Sequence, residues 1–139
     1  MIKHLVFDLD GTLADTLPEI HSTARRFAET RHGIGYGGKA LLRKIFGFAD
    51  DSPELKQAFA EFLEIYDEES GTQATLYPGV DDFLRQWTEN PQNSFSILTN
   101  KPGSPAHKVI RSTGLSRYPW RQIIHGETYP HKKPHPFPF

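Results

Sequence analysis

The sequence predicts an α/β fold in which a parallel sheet is interrupted by a helical insertion. Three short apolar segments have the character of strands, at residues 5–7, 94–100 and 122–126. Helical patterns separate them, and strands that alternate with helices are typical of a parallel sheet built from βαβ units. Between the first two strands, residues 16–72 show helical periodicity alone. These observations predict an α/β core with a helical region inserted after its first strand.

The first strand is predicted from Leu5–Phe7, a continuous apolar run that ends at Asp8. An unbroken run favours a parallel strand covered on both faces by helices. Because side chains two residues apart in an extended chain point the same way, Asp8 and Asp10 can reach one space beyond the strand. Gly11 lets the backbone turn there and approach a ligand closely. The spacing therefore predicts an acidic pocket at the end of the first strand.

Two carboxylates at a strand end have two chemical uses. They can hold a hard cation through oxygen ligands, and they can share the roles of nucleophile and general acid/base. The alternative is a plain Asp-Gly turn, in which the carboxylates only accept backbone hydrogen bonds. A buried strand seldom carries two charges where one asparagine would serve, so the chemical interpretation is favoured.

The insertion is predicted to consist of helices. Residues 16–32 begin with a threonine and a proline that suit a first helical turn, and apolar residues then recur at helical spacing. A short helix is predicted over residues 39–46 and a longer one over residues 52–69. The glycines of residues 33–38 are predicted to form an interhelical loop. They are not expected to bind a nucleotide, because no apolar strand directly precedes them.

The core pattern resumes at residues 77–80, a turn that leads into an amphipathic helix. The second strand, residues 94–100, ends in hydroxyl and amide side chains. Residues 101–105 then turn the chain into another helix, and the third strand, residues 122–126, precedes a proline-rich segment, residues 129–139. This order predicts a βαβ unit that continues the sheet of the first strand.

The domain boundaries are predicted where the periodicity changes. The core comprises residues 1–15 and 77–139, and the helical insertion comprises residues 16–76. Hinges are expected near Asp15-Thr16 and near Leu76-Tyr77, since a moving insertion must bend at its connections.

The composition limits the classes of function. The chain has 139 residues, of which 37% are hydrophobic, and this suits one domain with a modest insertion. Its net charge is −1 and its basic residues are scattered, which argues against a nucleic acid or an anionic membrane as partner and favours a small molecule. There is no cysteine and no apolar run approaching the ~20 residues of a membrane span. Residues 1–3 lead directly into a strand and not into a signal peptide, so a cytoplasmic protein is predicted.

Three motifs resemble those of the haloacid dehalogenase (HAD) superfamily of phosphohydrolases. Asp8–Thr12 matches its first motif, DxDGT after an apolar strand. Thr99–Pro102 resembles its second motif, a strand ending in serine or threonine, in the form typical of the phosphoglycolate-phosphatase branch. Lys132–Pro136 resembles the third, and Lys133 is assigned as the functional lysine because a proline directly follows it. The resemblance implies a HAD-like Rossmannoid parallel-sheet core with an inserted helical cap.

The resemblance also implies a reaction. The chain would be a magnesium-dependent hydrolase of a small phosphorylated metabolite similar to phosphoglycolate. Asp8 would attack phosphorus and form an aspartyl-phosphate, while Asp10 would act as general acid and then general base. Magnesium would be held by the Asp8 carboxylate and the main-chain carbonyl of Asp10. The implied phosphate-binding residues are Gly11, Thr12, Thr99, Asn100 and Lys133.

The sequence departs from the family at its fourth motif, an acidic pair on a further strand that supplies the remaining magnesium ligands. No such segment follows the lysine motif, and Gly126-Glu127 precedes it. We therefore expect that the C-terminal part of the core is missing, either in a fragment of a longer phosphatase or in a natural truncation. The alternative function is that of a phosphate-binding or interaction module without turnover. In the family the missing strand lies beside the first strand, so we expect an exposed sheet edge at Leu5–Asp8 and self-association through it.

Overall fold

In a computed structural model that describes residues 2–30 and 53–139, the chain folds into two compact units. One unit comprises Met1–Leu17 and Ser70–Phe139, and the other comprises Pro18–Glu69. The elements are, in chain order, β1 (His4–Phe7), β2 (Ala14–Asp15), α1 (Leu17–Thr30), α2 (Pro53–Glu69), β3 (Thr75–Leu76), α3 (Val80–Thr88), β4 (Ser94–Leu98), α4 (Gly103–Ser112), a short 3₁₀ helix (Leu115–Arg117) and β5 (Gln122–Ile124).

The predicted alternation of strands and helices is confirmed over the described residues. The predicted glycine loop at residues 33–38, the helix at residues 39–46 and the first residue of the helix at residues 52–69 lie outside them. The units divide at Leu17 and Ser70, so the second division comes several residues before the predicted one. The reason is local: β3 pairs antiparallel with β2, and this ties the residues before Tyr77 to the first unit.

β1, β4 and β5 form a parallel sheet in the order β1-β4-β5. Phe7 of β1 lies opposite Ile97 of β4, and Leu98 lies opposite Ile124 of β5. Parallel strands end at the same edge of a sheet, so the residues that follow β1 and β4 come together there. These residues are Asp8 and Thr99.

The prediction that β1 is covered on both faces is wrong. Leu5 and Phe7 pack against the core, whereas His4 is exposed and Val6 is 51% exposed. The core on the packed face includes Leu84 of α3 and Val109 of α4, so both crossover helices lie on one side of the sheet. Successive right-handed crossovers in the same direction have this effect. Within the described residues β1 pairs only with β4 and forms the sheet edge.

The second unit has its own small core. Phe27 of α1 packs edge-to-face on Phe62 of α2, with ring centroids 5.6 Å apart. Arg26 of α1 forms ion pairs with Glu68 and Glu69 of α2. The apolar spacing that predicts these helices therefore corresponds to their contact face. None of the described helices is long and apolar enough to cross a membrane.

Candidate active site

The turn after β1 places two carboxylates at the carboxyl-terminal end of the sheet's strands. Leu9 and Leu13 are buried in the core, and the Leu13 N–H donates to the Leu9 carbonyl at 3.0 Å. Gly11 has a φ of 74°, a left-handed conformation that favours glycine. The sequence Asp-Leu-Asp-Gly thus forms a closed turn whose leucine anchors the core while Asp8 and Asp10 remain partly exposed.

Asp8 forms an ion pair with Lys133. The Lys133 Nζ lies 2.8 Å from Asp8 Oδ1, and the same oxygen accepts the Leu9 N–H at 2.9 Å. The Asp8 side chain is 42% exposed and that of Lys133 is 23% exposed. A lysine from the proline-rich segment is therefore brought to a carboxylate at the end of β1, where both groups remain accessible to a ligand.

Asp10 has a different environment. Its Oδ1 accepts the Thr16 hydroxyl at 2.7 Å and lies 3.0 Å from the Nζ of Lys101. The Lys101 side chain has no exposed surface, while that of Asp10 is 30% exposed. Thr16 is itself buried. Asp10 is thus held through one oxygen by two buried side chains, and its other oxygen has no hydrogen-bond partner within the described residues.

Thr99 and Asn100 follow β4 and extend the site. The Thr99 N–H donates to the Ile124 carbonyl at 2.9 Å, and its buried hydroxyl accepts the Lys101 N–H at 3.1 Å. That hydroxyl keeps its own proton for a further acceptor. The Asn100 side chain pairs with the backbone of Lys133 through two hydrogen bonds, each 2.9 Å long.

The backbone amides of Gly11 and Thr12, two of the implied phosphate-binding residues, face backbone carbonyls. The Gly11 N–H donates to the Ala14 carbonyl at 2.9 Å. Among the described residues, the Thr12 N–H has one long contact of 3.4 Å, with the Leu9 carbonyl. Of these two amides, Thr12 is the one that could turn to an oxyanion at little cost. The role of both residues in phosphate binding stays a prediction.

Comparison with known proteins decides the family. The sequence profile of the haloacid dehalogenase-like hydrolases matches residues 5–139, nearly the whole chain. The chain belongs to this family.

Curated relatives of this HAD chain include two phosphoglycolate phosphatases. The one from Rhodobacter capsulatus is 34% identical over 150 residues, which cover 98% of this chain and 67% of that protein. The one from Pseudomonas putida is 31% identical over 148 residues, which cover 95% of this chain and 53% of that protein. The chain therefore spans between half and two thirds of the length of these relatives.

Solved structures agree on the fold. The crystal structure of a predicted phosphoglycolate phosphatase from Haemophilus somnus has a TM-score of 0.77 at 22% identity, covering 99% of this chain and 68% of that one. At this identity the likeness concerns the fold alone. It confirms a HAD-like α/β core that corresponds to about two thirds of the longer protein.

The side chains of the three HAD motifs lie together at the carboxyl-terminal end of the parallel strands. Asp8 and Asp10 follow β1, Thr99 follows β4, and Lys133 reaches Asp8 from the proline-rich segment. The residue that sequence reasoning missed is Lys101. Neither its burial nor its pairing with Asp10 can be read from the sequence, because both depend on how the segment after β4 packs against the turn after β1.

The HAD fold implies a magnesium ion, and the donors present can be compared with its needs. Within residues 2–30 and 53–139, no three histidine, cysteine or acidic side chains converge on a metal position. Mg²⁺ usually keeps several waters and binds one or two carboxylates together with substrate phosphate. The Asp8 carboxylate and the Asp10 carbonyl are donors of this kind. They fit a weak magnesium site that depends on the substrate for further oxygen ligands.

Proposed function

We propose that this chain carries the phosphoryl-transfer site of a magnesium-dependent phosphomonoester hydrolase. The proposed substrate is a small phosphorylated metabolite of the cytoplasm, similar to phosphoglycolate. The observation that carries the proposal is the 2.8 Å pair of Asp8 and Lys133. The mechanism needs a carboxylate nucleophile beside a cation that neutralises the phosphoryl group, and the contact between these two residues supports their assignment to those roles. The names of the two phosphoglycolate phosphatase relatives support the substrate class.

In the proposed first step Asp8 attacks phosphorus. Its Oδ1 already accepts the Leu9 N–H and contacts Lys133, which leaves Oδ2 to form the new bond. The bond from phosphorus to the substrate alkoxide breaks, and Asp10 gives a proton to that alkoxide. The product is an aspartyl-phosphate on Asp8 and a free alcohol.

In the second step water attacks the phosphorus of the aspartyl-phosphate. Asp10 takes the proton from this water, inorganic phosphate leaves, and the Asp8 carboxylate is restored. Asp10 Oδ2, which has no hydrogen-bond partner among the described residues, suits both proton transfers, because Oδ1 is held by Thr16 and Lys101. Lys101 therefore acts on the reaction through Asp10.

The remaining residues are proposed to bind the phosphoryl group. Thr99 donates its hydroxyl proton to one oxygen, and Lys133 neutralises charge on another. The Asp8 carboxylate and the Asp10 carbonyl would hold magnesium, which when bound would supply positive charge to the phosphoryl group. The proposed phosphate ligands also include the residues Gly11, Thr12 and Asn100.

Residues 16–76 are proposed to be the cap that selects the substrate, with hinges at its two connections to the core. Hydrogen exchange with and without a phosphate analogue and magnesium tests this. Protection that changes at residues 15–16 and 76–77 supports hinges there, and equal protection in both states argues against them.

The direct test of the proposal is the substitution Asp8→Asn, which keeps the shape of the side chain and removes the nucleophile. Turnover of an aryl phosphate should fall to background, while the thermal unfolding curve stays close to that of the parent chain. Asp82→Asn is the matched control, since Asp82 is an exposed acid on α3 that pairs only with Arg85 among the described residues. Parent-like turnover in the Asp8→Asn chain would exclude Asp8 as the nucleophile.

A second candidate function is a phosphate-binding module without turnover, which the absence of a third acidic ligand in the described residues favours. The same assay separates the two functions. A module binds inorganic phosphate or vanadate but releases no phosphate from an ester, even with magnesium in excess.

Self-association through the edge of β1 is also proposed. Val6 is 51% exposed, and an open strand edge offers backbone groups to a second copy of the chain. Sedimentation at rising concentration should show dimers that Val6→Lys weakens. A chain that stays monomeric at all concentrations would exclude the association.

A further inference from the structure

Lys133 occupies a segment that has no helix or strand. Residues 125–139 contain only turns and bends, and the local bond nearest to Lys133 is that from the His135 N–H to the Lys132 carbonyl, at 2.9 Å. A lysine side chain is long and flexible, so its ammonium keeps one position only if the backbone that carries it is fixed. The ion pair with Asp8 is partly exposed, and exposed ion pairs contribute little to order by themselves.

The Asn100 side chain constrains the backbone of Lys133 directly. Its Nδ2 donates to the Lys133 carbonyl and its Oδ1 accepts the Lys133 N–H, both at 2.9 Å. Two residues exchange N–H and C=O bonds in this way in a β-ladder. The amide of Asn100 thus pairs with Lys133 as a strand residue would.

Asn100 is itself firmly placed. It follows Thr99, whose N–H is bonded to β5 at the Ile124 carbonyl. A Cβ at Gly126 would lie only 2.4 Å from the Asn100 carbonyl oxygen, so the chain after β5 packs directly on the Asn100 backbone. The constraint on Lys133 therefore leads back to the sheet.

We infer that Asn100 is a positioning residue: its amide fixes the backbone of Lys133 and thereby holds the Lys133 ammonium at Asp8. This role differs from direct phosphate binding, which would use the Nδ2 hydrogen that does not face Lys133. The inference rests on the proposed function of Lys133. It is tested in the ligand-free chain, so that a lack of turnover leaves the result unaffected.

The experiment follows two nuclear magnetic resonance signals of the isotopically labelled chain. These are the solvent exchange rate of the Lys133 amide and the chemical shift of the Lys133 ε-methylene, which Lys133→Arg assigns. Asn100→Ala removes both hydrogen bonds, and Asn100→Asp keeps an acceptor for the N–H while losing the donor to the carbonyl. Asn90→Ala is the matched control, because exposed Asn90 also accepts a backbone N–H, that of Gln92, but lies before β4 at the opposite edge of the sheet.

In Asn100→Ala the Lys133 amide should exchange about tenfold faster, as expected when one hydrogen bond is lost. The ε-methylene signal should move towards its position in Asp8→Asn, and combining the two substitutions should add little. Asn100→Asp should move the ε-methylene signal in the same direction with a smaller change in exchange, and Asn90→Ala should change neither. A folded Asn100→Ala chain with both Lys133 signals unchanged would overturn the inference. If that chain does not fold, an unchanged ε-methylene signal in Asn100→Asp would do so.

Discussion

Two lysine–carboxylate pairs lie side by side at the edge of the sheet, and they differ in burial. The Lys101 side chain has no exposed surface, whereas that of Lys133 is 23% exposed. The acids follow one strand and are two residues apart, but Asp10 has a second buried partner in Thr16. The first pair joins a fully buried lysine to a partly exposed acid, whereas both members of the second pair reach solvent.

The difference in burial indicates different roles for the two pairs, one structural and one in ligand binding. A buried ammonium is costly without a partner, so the pair of Lys101 and Asp10 contributes to structure and to the orientation of the acid. The pair of Lys133 and Asp8 can exchange its contact for one with a ligand, because both side chains already reach solvent. The proposed mechanism needs a fixed orientation of Asp10 and a contact between Lys133 and Asp8 that a ligand can replace.

The largest expected effect is the loss of turnover when Lys133, the more exposed of the two paired lysines, is replaced. If the chain turns over, Lys133→Met should lower kcat by roughly 100-fold or more, the loss seen when a group that stabilises transition-state charge is removed. The unfolding free energy should change little, because the pair is partly exposed. Lys132→Met is the control, since Lys132 is an exposed neighbour with no ion pair among the described residues. Equal losses in the two variants would remove Lys133 from the reaction.

A second prediction separates the acids by stability. Asp10→Ala should cost about 3 kcal/mol of unfolding free energy, since it removes the carboxylate from a buried ammonium. Asp8→Ala should cost about 1 kcal/mol, because its pair is partly exposed. Denaturant unfolding of both variants measures the difference. If Asp10→Ala lowered the unfolding free energy less than Asp8→Ala, the structural role would belong to the Lys133–Asp8 pair and not to the Lys101–Asp10 pair.

A third carboxylate, Asp81 on α3, lies outside both lysine pairs and predicts how stability depends on acidic pH. Hydrogen bonds from Tyr118 and Arg117 lower the pKa of Asp81 below its usual value near 3.8. A lowered folded-state pKa contributes stability above the unfolded value, and this stability is lost as the pH falls through the folded value. Unfolding measured from pH 5 downwards should therefore show a loss below about pH 4 that is smaller in Asp81→Asn. Parallel curves for the two chains would show that Asp81 makes no such contribution.

The sequence predicts the strands and helices of the core and their order along the chain. It does so because apolar periodicity reflects which residues pack in the core, as at Phe7, Ile97 and Val109. It predicts the positions of Asp8, Thr99 and Lys133 only through motif resemblance. The open face of β1 could not be predicted, since an apolar run such as Leu5–Phe7 does not reveal on which sides helices pack.

Lys101 and the amide pairing of Asn100 were missed for a related reason. A motif records which residue types occur at the end of a strand, but hydrogen bonds depend on where distant segments return. Lys133 lies 33 residues from Asn100 along the chain. Only the folded course of the proline-rich segment shows that the two residues pair.

The central claim is that Lys133 faces the phosphoryl group while Lys101 holds Asp10. The most direct measurement follows the ε-methylene signals of both lysines while beryllium fluoride and magnesium are added to mimic the aspartyl-phosphate. We predict that the Lys133 signal moves with saturation and that the Lys101 signal stays in place. Movement of Lys101 with an unchanged Lys133 signal would contradict it.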